Sequence, residues 1–327
     1  MERYQADEAV MCDLVEIPAY MDVSQYAAAR KKKALTDLVK HLRVAYMKHS
    51  DSELLLHVSG AFRTLTAPEF ALSKDCKSSL DKLRDDLIAE LCRQVDSVLA
   101  GEADDQEAAE YSLEVTLRRL DALYEKVDSR SPEALKAVQA CLKQGSDEEE
   151  ELSDVICCLA LTILQKHCTW DIFGVVGTES RADEHEAVSS RRDAIIEQLL
   201  SLESGSPVVR AKAFTVLMDI LSVVSNVQET DYTVPSSVTS KVLAWFEREM
   251  QSEGYDSAHK LQYIKAIAHA VMNGGLPHGE AAAPIVSHYV KHNKDCESHI
   301  KLFLQNMKKK LAKEGVWKIE LGAMKLL

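Results

Sequence analysis

The chain has 327 residues, 46% hydrophobic and 28% charged, with a formal net charge of −13 at pH 7. That composition excludes a chain disordered throughout. The acidic balance excludes a nucleic-acid binder of the strongly basic kind, because neutralising phosphates takes concentrated Lys and Arg. Twelve glycines and seven prolines are few for an all-β chain, which needs frequent turn residues, so helix is the expected state.

Eight cysteines are scattered from Cys12 to Cys296 with no CxxC, which reads as reduced core thiols rather than a secreted disulfide framework. The opening MERYQADEAVMCDLVEIP is acidic where a signal peptide is basic and then apolar. No window approaches the roughly 18 apolar residues of a membrane span. A soluble, intracellular protein without a membrane partner is expected.

In chain order, the hydrophobic period predicts helices over 2–15, 24–49, 51–66, 76–99, 107–127, 131–143, 150–170, 183–203, 207–227, 236–252, 256–273, 279–292 and 295–314. Within 24–49 the stripe is Leu35, Leu38, Leu42, Ala45 and Tyr46. Ser50 and Glu53 form a capping-box pattern before Leu54, Leu55, Val58, Phe62 and Leu65. Leu80, Leu83, Leu87, Ile88, Leu91, Val95 and Val98 continue the pattern in the next hairpin. Ser131-Pro132 and Ser206-Pro207 each set an N-cap serine before proline at the first helical position, where the missing N–H costs nothing. The acidic or polar runs 101–107, 146–151 and 177–187 read as exposed loops.

Successive helix pairs start near 24, 76, 131, 183, 236 and 279. That spacing is slightly above the ~40–47 residues of HEAT and armadillo repeats. The expected fold is all-α, an α-solenoid of HEAT-like helical hairpins running through 1–327 as one array. Such a stack buries a continuous core and leaves one face of helices for extended partners.

Catalytic chemistry has little support. His288 and His292 stand at i and i+4, the spacing of a two-histidine zinc face, with His299 the nearest third ligand; the glutamate of HExxH is absent, and solvent-facing histidines are the plainer reading. Cys157 and Cys158 sit in an apolar run and read as packing. No GxSxG, Walker loop or GxGxxG occurs, and the glycines at 274–275 lie outside any strand-turn-helix setting. No metal, no cofactor and no enzymatic activity are expected. Trp170, Trp245 and Trp317 are isolated and read as core or hinge packing rather than a base-stacking platform. Two basic stretches, Arg30, Lys31, Lys32, Lys33, Lys40 and Arg43, and Lys308, Lys309 and Lys310, are candidates for DNA-backbone contact, with a solvated helix face as the alternative.

Local sequences carry a further signal. LVEIPAYMDVSQYAAAR, with Ile17, Pro18, Tyr20, Asp22, Tyr26 and Arg30, precedes LTDLVKHLRVAYMKHSDSELLLHVSGAFRTL. Downstream come LRDDLIAELCRQVDSVL at 83–99, EYSLEVTLRRLDALYEK at 110–126, VVRAKAFTVLMDIL at 208–221 and AAPIVSHYVKHNKDCESHIKLFLQNMKKK. In order and spacing these segments resemble the HEAT-repeat subunit of cohesin, the stromalin family, with 110–126 most like its plant-type members. The resemblance covers about 9–127 and 191–313 and is weak over 128–190. It rests on several matches in the right order rather than on one signature motif.

The resemblance implies a hook-shaped HEAT array, here its C-terminal half, that clasps the kleisin subunit, joins the rest of the cohesin complex, contributes to DNA binding and helps hold sister chromatids together on nuclear chromatin. The family's aromatic pocket for regulatory peptides is expected upstream of Met1. The helix 207–227 resembles one lining the kleisin path. This singles out Arg210, Lys212 and Asp219 for charge pairing and Phe214 for apolar anchoring, although Phe214 also fits a core stripe with Leu217, Met218 and Leu221. A HEAT adaptor or transport receptor outside cohesin would share the solenoid but not the match at 9–127.

Overall fold

The computed structural model describes residues 7–20, 29–50, 52–68, 73–101, 105–143, 152–175, 182–226, 234–254, 256–289, 291–311 and 313–326. Among the described residues there are fourteen α-helices, two short 3-10 turns and no strand. The chain divides into two compact units, Met1–His167 and Cys168–Leu327.

The first unit contains α1 (Glu8–Glu16), α2 (Ala29–Lys48), α3 (Ser52–Thr66), α4 (Ser73–Leu99), α5 (Gln106–Lys126), α6 (Pro132–Cys141) and the start of α7 (Asp154–Val175). Successive hairpins stack in two layers, with α1, α3 and α5 side by side in one and α2, α4 and α6 in the other. The stripes read from sequence form the seam. Leu54, Leu55, Val58, Phe62 and Leu65 of α3 are fully buried, and Leu83, Leu87, Leu91, Val95 and Val98 of α4 nearly so. Each such side chain contributes about 1.5–3 kcal/mol relative to exposure. Tyr46 is buried with them, and its hydroxyl donates to the Arg119 carbonyl on α5 at 2.5 Å, which satisfies the polar end of the ring inside the core.

The second unit contains α8 (Ala182–Ser201), α9 (Pro207–Asn226), α10 (Ser236–Gln251), α11 (Ser257–Met272), α12 (His278–Ser287), α13 (Lys294–Lys310) and α14 (Lys313–Leu326). It repeats the two-layer pattern, with α9, α11 and α13 adjacent in one layer and α10, α12 and α14 in the other. Each unit is therefore a length of all-α solenoid built from HEAT-type hairpins.

Local chemistry sets the helix ends. Asp105, Ser131, Asp256 and Asn293 each accept a backbone N–H of the first turn they precede, and the Ser206 hydroxyl accepts from Val209 N at 3.3 Å with Pro207 leading α9. α3 begins at Ser52, and Asp51, inside the span of the expected capping box, lies outside the described residues. Gly274 has φ of 80° just past α11, a left-handed value that a side chain resists. Gly275 follows it for a different reason. A Cβ there would sit 2.8 Å from the backbone of Leu221 and Ser222, so the turn lies directly against α9.

Four expectations are corrected. Residues 182–187, read partly as loop, open α8. The helix expected over 279–292 stops at Ser287. The helix expected over 295–314 ends at Lys310, where Leu311 is extended, and a separate α14 follows. α7 is also long and apolar enough, by length and composition, to cross a membrane. Half of that window is buried inside the protein, however, and Lys166 is fixed to Asp121 and Glu125 at 2.8 and 2.9 Å, as suits a core helix.

Candidate functional site

The four residues expected to contact kleisin all lie on α9, and the structure separates them by environment. Phe214 is fully enclosed. Its ring meets Trp245 of α10 edge-on with centroids 5.3 Å apart and Tyr263 of α11 at 4.7 Å. It ties three helices together in the core, the second of the two roles that its stripe with Leu217, Met218 and Leu221 left open. Arg210 also turns inward, its Nε 3.5 Å from a Glu249 carboxylate that is only 4% exposed. His259 approaches the same carboxylate at 3.6 Å. A buried carboxylate calls for a cation nearby, and Arg210, turned toward Glu249, supplies it.

Lys212 and Asp219, two helical turns apart on one face of α9, remain half-exposed. Asp219 has His269 of α11 at 3.8 Å, and between them Gln262 donates to the Thr215 hydroxyl at 3.3 Å. This polar seam along α9 and α11 is the part of the expected contact surface that a partner can reach.

The basic candidates divide in the same way. The side chains of Arg30, Lys31 and Lys32 lie outside the described residues. Lys33 and Lys40 are exposed on one face of α2, with Asp37 between them. Arg43 is paired with Asp86 of α4. Lys308 bridges to Glu320 at 3.1 Å, and Lys310 donates to the Met272 carbonyl at the end of α11. Lys309 stays exposed. Among the candidates whose side chains are described, Lys33, Lys40 and, on the other unit, Lys309 are exposed without a described ion pair.

The histidine expectation is partly overturned. His288 is only 2% exposed, and its ring stacks on His292 with centroids 5.2 Å apart. Glu247 of α10 lies 3.2 Å from His288 Nε2. His299 donates to the Asp295 carbonyl of its own helix at 3.1 Å. Among the described residues no group of three side chains could hold a metal ion.

The buried cysteines are not activated nucleophiles. Burial pushes the thiols of Cys141 and Cys168 up to about 12 and that of Cys76 to about 11, away from the thiolate that attack requires. Cys157 and Cys158 are half-buried, and the Cys157 thiol points at the Cys141 carbonyl, 3.7 Å away.

Sequence reasoning missed Glu247 and Glu249. Both lie about 40 residues from the histidine or arginine they engage, and the only signal was a pair of glutamates at i and i+2 on an otherwise amphipathic helix.

The surfaces described are those of a scaffold, and comparison with known proteins agrees. The sequence model for the cohesin subunit SCC3/SA HEAT-repeats domain matches residues 1–170, reaching well past position 127, where the sequence resemblance faded. Cohesin subunit SA-1 of Xenopus laevis is 24% identical over 339 aligned residues, 92% of this chain and 26% of that protein. Cohesin subunit SA-3 of Mus musculus is 27% identical over 229 residues, 69% of this chain and 18% of that protein. Sister-chromatid cohesion protein 3 of Arabidopsis thaliana is 25% identical over 202 residues, covering 61% and 17%. The chain spans about a quarter or less of the length of these relatives. With the family model covering more than half of its residues, the chain belongs to the cohesin subunit SCC3/SA family.

Proposed function

We propose that this chain acts as a non-catalytic accessory subunit of cohesin on nuclear chromatin, binding the kleisin subunit and touching DNA through local basic positions in sister-chromatid cohesion. The match of the SCC3/SA HEAT domain over residues 1–170 carries this reading. HEAT hairpins bind extended partners along one layer of helices, and the half-exposed seam of Lys212, Asp219, Gln262 and His269 on α9 and α11 offers alternating charge and hydrogen-bonding groups to such a segment. With Phe214 enclosed and Arg210 turned to Glu249, Lys212 and Asp219 are the residues proposed for charge pairing. DNA contact is weaker support, because among the candidates whose side chains are described only Lys33, Lys40 and Lys309 are exposed without a described ion pair.

The test is a binding titration of the 327-residue chain against the central segment of its own organism's kleisin, with a scrambled segment of the same composition as control. Saturable binding of the native segment alone supports the reading. Equal binding of both segments, or of neither, overturns it.

A further inference from the structure

Two cysteines far from the surfaces just described are brought together by the first unit. Cys141 is the last residue of α6, and Cys157 lies in the first turn of α7. They stand sixteen positions apart in the chain, with the acidic run 146–151 between them. The Cys157 thiol donates to the Cys141 carbonyl at 3.7 Å and to the Leu152 carbonyl at 3.9 Å. The sulfurs feel each other as well. Burial, and after it the Cys157 thiol, pushes the Cys141 thiol up to about 12, an effect that needs the two groups to be close. By contrast, the thiols of Cys76, Cys92, Cys168 and Cys296 are shifted by burial and by charged neighbours, with no second cysteine contributing.

The two differ in access, which orders the chemistry. Cys141 is 2% exposed, whereas Cys157 is half-buried and is the one a small oxidant reaches first. We infer that Cys141 and Cys157 are a modification site for hydroperoxides, which join them in a reversible disulfide that staples the start of α7 to the end of α6. In the first step the Cys157 sulfur attacks a peroxide oxygen. The O–O bond breaks, the departing hydroxide takes the thiol proton and leaves as water, and Cys157 becomes a sulfenic acid. In the second step the Cys141 sulfur attacks that of Cys157. The S–S bond forms, the S–O bond breaks, and the departing hydroxide takes the Cys141 proton as a second water. The two thiols lose two electrons and the peroxide gains them; a dithiol reductant reverses the reaction. Since α6 packs on α4, the bridge fastens α7 to that hairpin stack and restricts the unfolded chain, so oxidation stabilises the first unit.

The test treats the full chain, reduced and desalted, with hydrogen peroxide, blocks the remaining thiols with N-ethylmaleimide in urea, and digests it with trypsin without reductant. Cleavage after Lys136, Lys143 and Lys166 places Cys141 in the peptide 137–143 and Cys157 in 144–166. The expected product is these two peptides joined, two hydrogens lighter than their sum and separated by dithiothreitol. The oxidised chain should also melt higher than the reduced one, by on the order of 5 °C. Cys157→Ala should abolish both effects and Cys158→Ala neither. The crosslink is read on the unsubstituted chain, so a variant that folds poorly does not decide the matter. The proposal is overturned if peroxide carries Cys157 to the sulfinic acid while Cys141 is recovered fully alkylated, or if it bridges Cys157 to Cys158 within 144–166. A crosslink that survives Cys157→Ala overturns it too. No readout involves kleisin or DNA, so the outcome is independent of the cohesin reading.

Discussion

His288 Nδ1 lies 3.1 Å from His292 Nε2. On its other side His288 faces the Glu247 carboxylate at 3.2 Å, and a carboxylate can only accept, so Nε2–H of His288 donates to Glu247. In the neutral ring Nδ1 is then the acceptor, and His292 donates to it from Nε2. The result is a one-directional hydrogen-bond chain, packed edge-on against Phe246, that joins α10 to the turn between α12 and α13.

Burial, then the neighbouring His288, Lys260 and Lys291, holds His292 down to about 4 from its usual 6.5. The folded chain therefore resists a proton that the unfolded chain takes up. Stability rises with pH between about 4 and 6.5 and is lost as pH falls through that window. For a partly solvated ring the effect is on the order of 1 kcal/mol after screening. Denaturant unfolding at pH 4.5 and 7 should show a smaller pH difference for His292→Gln, whose amide can still donate to His288. Matching pH differences for the two proteins would contradict the shared-proton arrangement.

Phe214→Ala is expected to cost about 3–5 kcal/mol, the range for deleting a buried aromatic ring, because Trp245 and Tyr263 cannot both collapse into the space. Urea unfolding measures it. If Phe214 were instead a partner anchor, the variant would keep its stability and lose only binding.

The apolar stripes of α3, α4 and α9 were readable because an amphipathic helix writes its buried face at a 3.6-residue period, and Ser131 and Ser206 announce their helix starts by local chemistry alone. Whether Phe214 faced its own core or a partner was not readable, since that depends on Trp245 and Tyr263, brought in from other helices. The pairing of Arg210 with Glu249 and of His288 with Glu247 is hidden for the same reason. The break before α14 was missed because Leu311, the residue that leaves the helix, is itself a good helix former, and Gly322 reads as a helix weakener until the close approach of Ala283 explains it.

Gly275→Ala tests the turn at the end of α11. The added methyl would fall 2.8 Å from the α9 backbone, which has no flexible side chain to yield, so the turn must shift at a cost of about 1–3 kcal/mol. Gly254→Ala, where a Cβ meets nothing within 4 Å, is the control, and thermal melts of both variants read the difference. Equal melting temperatures would mean that the turn relaxes freely.

DNA affinity should be weak and should fall steeply with salt, since any contact is a charge contact that releases counterions. Lys33→Glu with Lys40→Glu removes two exposed cations and should lower the slope of log affinity against log salt by about 2. Lys310→Met is the comparison, because Lys310 is engaged at the end of α11 and its loss should leave that slope unchanged. Affinity that survives high salt undiminished would contradict a phosphate-contacting patch.

Asp219→Lys addresses the polar seam directly. Asp219 is half-exposed on the surface of α9, with His269 at 3.8 Å, so the substitution should leave helicity near its original value. It also places a positive charge two turns from Lys212, making a wholly cationic edge from one that alternated in sign. A kleisin segment that pairs a basic group with Asp219 would lose that attraction and meet repulsion, which amounts to about 1–3 kcal/mol, or roughly five- to 150-fold in affinity. Isothermal titration of both proteins against the same segment measures the difference. Equal affinities would remove α9 from the contact surface and leave the rest of the array as the place to look.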